Sequence, residues 1–315
     1  MKKILLTLLI SVFSIFLIFG SANANKYGTV KIANYDWSSQ LVGTKIIGEL
    51  LKIVGERVEH VPTNAQGAYE LLADGEIDLV HEIWENAFSE SYEKAKARGG
   101  IEELQTYDVI TREGWWYPDY VEELCPGMQD WRVLKKCNSV FKDLEISTTH
   151  GIIYSGPLSW KNYDNERLKA LEIPFKIKHF ATAGNIWFEL SKAYEEKKPV
   201  IVFNWSPNFV NEKYSGKFIN LPDYHPKCET DKSWGVNPNF HYDCEHSKKG
   251  YIKLAVNENF KKYHPKGYEV VKNINFSTSD INKMSNYVET EGKSIQEAAD
   301  EWMKNHKSKW SEWIK

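Results

Sequence analysis

Four tryptophans stand where predicted β-strands end, and their aromatic faces are the part of this chain best suited to hold a ligand. They are Trp37, Trp84, Trp160 and Trp205. Trp is poorly placed for core packing at a polar strand end, because its bulk and its N–H both need accommodation. Open α/β sheets bind ligands beyond the carboxyl ends of their strands, and several aromatic faces together hold a quaternary ammonium group by cation–π attraction. The pattern indicates an aromatic cage, with core or hinge packing as the competing interpretation.

Polar residues flank these tryptophans and are candidates for the rest of a binding site. Acidic side chains near a desolvated cation would add Coulombic attraction, and hydroxyl, amide and backbone N–H groups at helix starts would hold an anionic oxygen. Capping or solvated loop roles are the alternative for each. The acidic candidates are Asp36, Glu82 and Glu85, and the neutral ones are Ser38, Ser39 and Asn208.

The elements that position these residues alternate between strand and helix through two units. The first unit has predicted strands at 30–33, 58–61 and 77–83 and predicted helices at 38–54, 65–72 and 85–98. The second has predicted strands at 152–154, 175–179 and 200–203 and predicted helices at 165–171 and 184–197. Residues 218–221 lead back to the first unit, and residues 252–256 add a strand to its sheet. Such alternation is typical of parallel sheets covered by helices.

The fold class that follows is α/β, with two lobes joined by two crossovers and a ligand cleft between them. We assign residues 25–113 and 223–315 to lobe I and residues 114–222 to lobe II. Trp37 and Trp84 then belong to lobe I, and Trp160 and Trp205 to lobe II. A ligand held from both sides would favour closure by hinge motion.

Residues 1–24 have the pattern of a cleaved secretory signal peptide. Lys2 and Lys3 precede an almost unbroken apolar stretch, and Ala22-Asn-Ala24 is a small-x-small cleavage site. An uncleaved membrane anchor is the alternative, since the apolar run alone is long enough. We expect an exported, periplasmic protein whose mature part is residues 25–315.

Charge and cysteine content narrow the functional classes further. The formal net charge of −3 becomes −5 without the two signal-peptide lysines, so no electrostatic footprint for nucleic acid is present. Four cysteines in an oxidising compartment indicate two disulfides. Sequence proximity favours Cys125–Cys137 and Cys228–Cys244, although three connectivities are possible.

Metal and cofactor sites are weak alternatives in this sequence. Cys228, His241, Cys244 and His246 offer zinc ligands without a Cys-x-x-Cys pair, and the oxygen-bearing residues between 231 and 243 lack EF-hand spacing. No Gly-rich phosphate loop or cofactor fingerprint occurs. We therefore expect no metal and no cofactor.

The sequence resembles the substrate-binding components of ABC importers for osmoprotectants, the glycine betaine/choline-binding group. The resemblance rests on Asn-Tyr-Asp-Trp-Ser-Ser around Trp37, Glu-Ile-Trp at 82–84, and Pro-Val-Ile-Val-Phe-Asn-Trp-Ser-Pro at 199–207. The helical tail from Ser294 is similar as well, so the resemblance covers essentially the whole mature chain. It implies a periplasmic-binding-protein fold of the two-crossover type.

The resemblance also implies which residues hold the ligand. Trp84 and Trp205 match the two most regular cage positions, Trp160 matches a third wall, and Trp37 matches a position used in choline-binding relatives. Trp116, or its neighbours Trp115 and Tyr117, matches an aromatic near the hinge.

The sequence departs from the family pattern at positions that bind the polar half of the ligand in other members. Phe88 and Asn208 stand where betaine-binding members often place a His, and Ser39 stands where choline-binding members have an acid. Glycine betaine is the first expectation, while choline, trimethylamine N-oxide and dimethylsulfoniopropionate remain open. The implied partners are this small methylated ammonium or sulfonium ligand and the permease and ATPase subunits at the inner membrane, with the binding protein itself a monomer.

The alternative function is an exported enzyme acting on a small amine or sugar. The sequence contains neither a Gly-x-Ser-x-Gly elbow nor a His-Glu-x-x-His motif. Glu82 and Glu85 could serve as a carboxylate pair, but two acids in one short segment do not establish spacing across a substrate. The sequence therefore favours a binding protein over an enzyme.

Overall fold

The computed structural model describes residues 28–246 and 250–315, except for the side chains of residues 87–89. The predicted signal peptide and the side chain of Phe88 lie outside this described part. Across the described residues no helix has the length and apolar character needed to cross a membrane.

The first lobe is built on a five-stranded sheet with the order β2–β1–β3–β10–β4. Its strands are β1 (Thr29–Asn34), β2 (Arg57–Pro62), β3 (Leu79–Trp84), β4 (Ile101–Thr106) and β10 (Ile252–Asn257). Strand β1 pairs in parallel with β2 and β3, whereas β10 runs antiparallel between β3 and β4. The predicted return of residues 252–256 to the first sheet is confirmed.

Helices from both ends of the chain cover this sheet. They are α1 (Ser38–Ile53), α2 (Ala65–Asp74), α3 (Glu85–Ala97), α9 (Phe260–Tyr263), α10 (Pro265–Val271), α11 (Thr278–Glu289), α12 (Ile295–Asn305) and α13 (Lys307–Trp313). Helix α1 packs on α11 and α12, and its apolar face is buried at Ile46, Ile47, Leu50 and Leu51.

The second lobe repeats the plan, with the strand order β7–β6–β8–β5–β9. Its strands are β5 (Arg112–Pro118), β6 (Gly151–Ser155), β7 (Phe175–His179), β8 (Val202–Ser206) and β9 (Gly216–Phe218). Its helices, with one in the segment that follows β9, are α4 (Trp131–Cys137), α5 (Asp164–Ala170), α6 (Ala183–Glu195), α7 (Val210–Lys213) and α8 (Lys227–Thr230). Strand β6 is parallel to β7 and β8, and β5 is antiparallel to β8 and β9.

The chain crosses between the lobes twice, from β4 to β5 and from β9 to β10. The α/β class, the two lobes and the two crossovers agree with the predicted fold. The boundaries after residues 113 and 222 stay a prediction. The second crossover carries a long segment that includes α8 and a disulfide.

Local sequence signals account for several element ends. Gly75 ends α2 in the left-handed conformation, with φ 74°, which glycine adopts without steric cost. Ser294 and Glu297 form a capping box at α12, and Ser277 and Asp280 form one at α11. Each box satisfies backbone N–H groups that the helix leaves without partners.

Both predicted disulfides are present, and each closes a short stretch of chain. Cys125 pairs with Cys137 and Cys228 with Cys244, with Cα–Cα distances of 6.1 and 6.3 Å. The zinc interpretation of the 228–246 segment is therefore wrong, because both of its cysteines are consumed in the disulfide.

Candidate functional site

The four tryptophans predicted to form a cage lie together at the junction of the two lobes. Trp84 is the last residue of β3, and Trp37 directly precedes α1. Trp160 ends a short 3₁₀ turn after β6, and Trp205 lies near the end of β8. Each is buried, and we call these four residues the tryptophan cluster.

Within the tryptophan cluster, neighbouring rings stand almost at right angles. The ring centroids of Trp37 and Trp160 are 6.1 Å apart with planes at 88°, and those of Trp160 and Trp205 are 5.3 Å apart with planes at 81°. Trp187 of α6 packs behind Trp205 at 5.0 Å. Perpendicular indoles form the corners of an aromatic box, which is the arrangement that surrounds a cation.

Glu82 links the two tryptophans of the first lobe. Its Oε2 atom accepts hydrogen bonds from Trp37 Nε1 at 2.5 Å and Trp84 Nε1 at 3.2 Å, and a third from Ser39 Oγ at 3.2 Å. The side chain is fully buried, and burial raises the pKa of the Glu82 carboxyl to about 7, although the three donors partly oppose this shift. The site thus contains a carboxyl poised to change charge near neutral pH.

The backbone at Glu82 has φ 59°, in the left-handed region. This conformation costs a non-glycine residue about 1 kcal/mol or more. Its neighbour His81 is fully buried, and Gly43 of α1 makes room for it, since a Cβ at Gly43 would lie 2.2 Å from His81 Nε2. Close packing of α1 on β3 therefore holds Glu82 in its place beneath the indoles.

The electrostatic surroundings of the tryptophan cluster are acidic. Burial lowers the pKa of His81 to about 3, so this imidazole is neutral at physiological pH, and its Nε2 lies 3.7 Å from Glu82 Oε1. Burial also raises the pKa of Asp36, partly offset by hydrogen bonds from its own backbone and from the Trp160 side chain. Carboxyl groups on this side favour a cationic guest.

Glu113 and Tyr35 lie beside the tryptophan cluster, and the sequence reasoning did not single them out. Glu113 of β5 is buried and pairs in register with Trp205 across the sheet, and its charge helps to raise the pKa of the buried Tyr69 hydroxyl. The Tyr35 ring lies 4.8 Å from that of Trp37. A lone acid directly before the apolar run Gly-Trp-Trp-Tyr was the available signal for Glu113.

Two predicted ligand residues have other contacts. Asn208 is buried and donates to Asn204 Oδ1 at 3.1 Å, while its own Oδ1 accepts from the backbone N–H of Phe209 at 2.8 Å. Both ends of this amide therefore stabilise the turn after β8. Ser39 donates to Glu82, as described above. Ligand contact by Asn208 and Ser39 stays a prediction.

The three aromatic residues near the hinge separate into different surroundings. Trp116 is part of the same continuous core as the tryptophan cluster, but its ring packs on Gly216 of β9, where an added Cβ would lie 2.0 Å from it. Trp115 donates to Asp164, and Tyr117 to Glu122, within the separate core of the second lobe. Among the described ring pairs, the structure does not bring Trp116 into the cluster.

A second set of contacts joins the lobes beside the tryptophan cluster. The hydroxyl of Tyr163, just after Trp160, donates to Glu90 of α3. The Tyr163 ring also stacks on Tyr242 of the disulfide segment, at 4.1 Å and 10°. Tyr163 therefore contacts both the first lobe and the second crossover.

The disulfide segment is attached to the second lobe through the buried Arg167. Its Nε donates to the Cys244 carbonyl at 2.7 Å, and its Nη2 lies 3.3 Å from His246 Nδ1. Asp164 lies 3.6 Å from the guanidinium, and burial raises the pKa of this carboxyl to about 7 against the opposing effect of Arg167. Within residues 28–246 and 250–315, no three His, Cys, Asp or Glu side chains are grouped to hold a metal ion.

Fold and site together define a two-lobed ligand-binding protein with an aromatic site between its lobes. Residues 28–305 match the family model described as the substrate-binding domain of ABC-type glycine betaine transport systems. The chain belongs to this family. It is thus a substrate-binding protein of an ABC importer and not an enzyme, and proteins of this class bind a small ligand and the transporter outside the cytoplasm.

Similar proteins with a curated description give the same class. The trimethylamine N-oxide-binding protein of Pelagibacter ubique (strain HTCC1062) is 34% identical over 325 aligned residues, covering all of both chains. The glycine betaine/carnitine transport binding protein GbuC of Listeria monocytogenes serotype 1/2a (strain 10403S) is 26% identical over 124 residues, which are 39% of this chain and 34% of that protein.

Solved structures of low sequence identity share the fold. The ProX glycine betaine/L-proline-binding protein of Borrelia burgdorferi has a TM-score of 0.71 at 17% identity, covering 91% of this chain and 97% of that one. Lactococcal OpuAC, in its closed conformation with glycine betaine, has a TM-score of 0.66 at 18% identity, covering 91% and 99%. These likenesses confirm the two-lobed periplasmic-binding-protein fold.

Proposed function

We propose that this protein captures a small trimethylated onium compound in the tryptophan cluster, with trimethylamine N-oxide as the first candidate and glycine betaine as the second. The single observation that carries the proposal is the meeting of nearly perpendicular indoles from both lobes, with the first-lobe indoles hydrogen-bonded to the buried Glu82. Methyl groups fill such a box and spread the positive charge, whereas primary ammonium ions are strongly hydrated and lose that hydration on entry.

The acidic surroundings support this order of ligands. Glycine betaine carries a carboxylate, and Glu82, Asp36 and Glu113 offer it like charge rather than a positive partner. Trimethylamine N-oxide presents a single oxygen of partial charge and needs less compensation. Glycine betaine is the first expectation from the sequence alone. The full-length similarity to a trimethylamine N-oxide-binding protein supports moving the N-oxide ahead of it.

The remaining parts of the proposal concern location and assembly. We infer that residues 1–24 direct export to the periplasm, where the monomeric binding protein delivers its ligand to a permease and ATPase at the inner membrane. Residues 25–113 with 223–315 and residues 114–222 would act as the two lobes that close on the ligand. Trp37, Trp84, Trp160 and Trp205 would be its walls, with Trp116, Ser39, Glu82 and Asn208 around them.

Isothermal titration calorimetry with a ligand panel tests the proposal. The panel contains trimethylamine N-oxide, glycine betaine, choline and dimethylsulfoniopropionate, with unmethylated glycine as the negative control. We expect at least one methylated compound to bind and glycine to give no heat. Binding of sugars or ordinary amino acids, with no response to any methylated onium compound, would contradict the proposal.

A further inference from the structure

One carboxylate oxygen of Glu82 holds both indoles that the first lobe contributes to the tryptophan cluster. Trp37 and Trp84 come from different elements, yet their N–H groups converge on the same Oε2 atom. An indole N–H fixes the plane of its ring when its acceptor is immobile, and this acceptor is buried on a packed strand. The angle between the two walls therefore depends on Glu82.

The other oxygen of the carboxyl, Oε1, has no hydrogen-bond partner in the described structure and is also buried. His81 Nε2, on the same strand, lies 3.7 Å from Oε1. Tyr35 from the β1–α1 connection and Tyr107 from the first crossover are the other described titratable groups on which the Glu82 charge acts. Burial lowers the pKa of the histidine and raises those of the two tyrosines, so all three are neutral near pH 7. None of them supplies the positive charge that a buried carboxylate requires.

We propose that Glu82 is the positioning and charge-selecting residue of the site: it orients the Trp37 and Trp84 walls, and the bound onium group is its counter-charge. This inference rests on the proposed function, because it needs an onium group in the tryptophan cluster. It adds a selection rule: a net positive charge on the ligand raises its affinity beyond what its methyl groups contribute.

Tetramethylammonium and trimethylamine N-oxide are a matched pair of probes for this rule. They differ by one methyl group in place of one oxygen, so their shapes and cation–π contacts are similar. Tetramethylammonium carries a net charge, while the N-oxide is a neutral dipole whose oxygen is repelled by a carboxylate. The Glu82 carboxylate therefore attracts tetramethylammonium with its full charge. For trimethylamine N-oxide this attraction is partly cancelled by repulsion of the oxygen.

The experiment compares wild type, Glu82→Gln and Glu82→Asp by calorimetry with both probes. Gln removes the charge at nearly constant shape, and we expect the affinity for tetramethylammonium to fall about tenfold further than that for trimethylamine N-oxide. Asp keeps the charge but is one methylene too short to reach both indoles. We expect this variant to weaken both probes while keeping the wild-type ratio between them.

The pH dependence of the affinity distinguishes charge selection from a purely structural role of Glu82, which would not change with pH in this way. In wild type the affinity for tetramethylammonium should rise between about pH 6 and pH 8, as the carboxyl loses its proton, and Glu82→Gln should abolish that rise. Glu56→Gln, at a buried acid that pairs with His264 instead of the cluster, should leave both the ratio and the pH profile unchanged.

Three results distinguish the possibilities. A selective loss of tetramethylammonium binding in a folded Glu82→Gln variant supports the inference. Equal losses for both probes, with an unaltered pH profile, would overturn charge selection while leaving the proposed function intact. Failure of wild type to bind any methylated onium compound would overturn the proposed function and the inference with it.

Discussion

Trp37 and Trp160 meet edge to face, at 6.1 Å and 88°, although one follows β1 of the first lobe and the other follows β6 of the second. This contact makes the lobe interface and the candidate ligand site the same place. A ligand bound in the tryptophan cluster would lie against rings from both lobes, so its binding energy would be available to hold them closed. This is the physical basis of hinge-type capture.

We predict that loss of a cluster indole weakens ligand binding strongly. Each aromatic wall around a desolvated cation contributes about 0.5–2 kcal/mol, and about 1.4 kcal/mol corresponds to tenfold in affinity. Trp84→Ala and Trp205→Ala should therefore each weaken the binding of trimethylamine N-oxide, or of the tightest methylated ligand, by roughly tenfold or more. Calorimetry measures this directly.

The matched control is Trp234→Ala. Trp234 is partly exposed in the disulfide segment and stacks on His225 rather than on the cluster. Its replacement should leave affinity unchanged. Affinities of Trp84→Ala or Trp205→Ala within twofold of wild type would remove that residue from the ligand site.

We predict that Glu82 and Asp164 each contribute less to the stability of the free protein as the pH rises from about 4.5 to 7. Burial raises the pKa of Glu82 from 4.5 to about 7 and that of Asp164 from 3.8 to about 7. A carboxyl whose pKa is higher in the folded state favours folding below its unfolded pKa, and this contribution is lost as pH rises through the folded value. The 2.5 pH units at Glu82 correspond to about 3 kcal/mol.

Urea unfolding at pH 5 and pH 8 checks this prediction. Glu82→Gln should remove part of the difference in unfolding free energy between the two pH values, and Glu56→Gln should not. Below pH 6.5 the buried His81 has the opposite effect, because its pKa is lowered to about 3 and its protonation favours the unfolded chain. A difference in unfolding free energy between pH 5 and pH 8 that is the same in Glu82→Gln as in wild type would contradict the assignment for Glu82.

Much of the fold was predictable because its central strands are short apolar runs bounded by turns. Strands β1, β3, β6 and β7 and helices α1, α2 and α6 agree with their predicted positions to within about two residues at most ends. Strands β4, β5 and β9 were not predicted. Strand β4 reads Ile-Glu-Glu-Leu-Gln-Thr, without regular alternation, and it is a strand because β10 provides its partners.

The sequence predicted which tryptophans form the candidate site, but it did not predict how the surrounding side chains contact them. Tryptophans at strand ends pointed to Trp37, Trp84, Trp160 and Trp205, and the fold brings them together. The convergence of two indole N–H groups on Glu82 has no signature in the sequence, because Trp37 and Glu82 are 45 residues apart. Glu113 was missed for the same reason, since its place opposite Trp205 is set by β5–β8 pairing.

We predict that the buried Arg167 is essential for stability. Its guanidinium joins Asp164 of α5 to the Cys244 carbonyl of the second crossover. Removing one partner of a buried ion pair costs about 3–5 kcal/mol, since the other charge stays behind unpaired. Arg167→Met should lower the unfolding free energy by about this amount.

The double variant Asp164→Asn/Arg167→Met tests whether the unpaired charge of Asp164 causes this loss of stability. It removes both charges, so it should recover part of the loss seen in Arg167→Met. Denaturant unfolding of wild type, both single variants and the double variant gives the coupling energy. Strictly additive losses would show that the two side chains do not act as a pair.

We predict finally that Tyr163 slows ligand release by holding the lobes together. Its hydroxyl donates to Glu90 of the first lobe, and its ring stacks on Tyr242 of the second crossover. Tyr163→Phe keeps the stacking and removes one partly exposed hydrogen bond, worth about 1 kcal/mol. Because this bond joins the second lobe to the first, we expect its loss to act on the dissociation rate, which should rise about threefold to tenfold while the association rate stays near wild type. Stopped-flow tryptophan fluorescence separates the two rates.

Tyr120→Phe is the control, since the described hydrogen bonds of the Tyr120 hydroxyl stay within the second lobe, to the carbonyls of Ala193 and Lys198. A Tyr163→Phe variant with unchanged dissociation, or with an effect confined to association, would show that the lobes close without help from this contact.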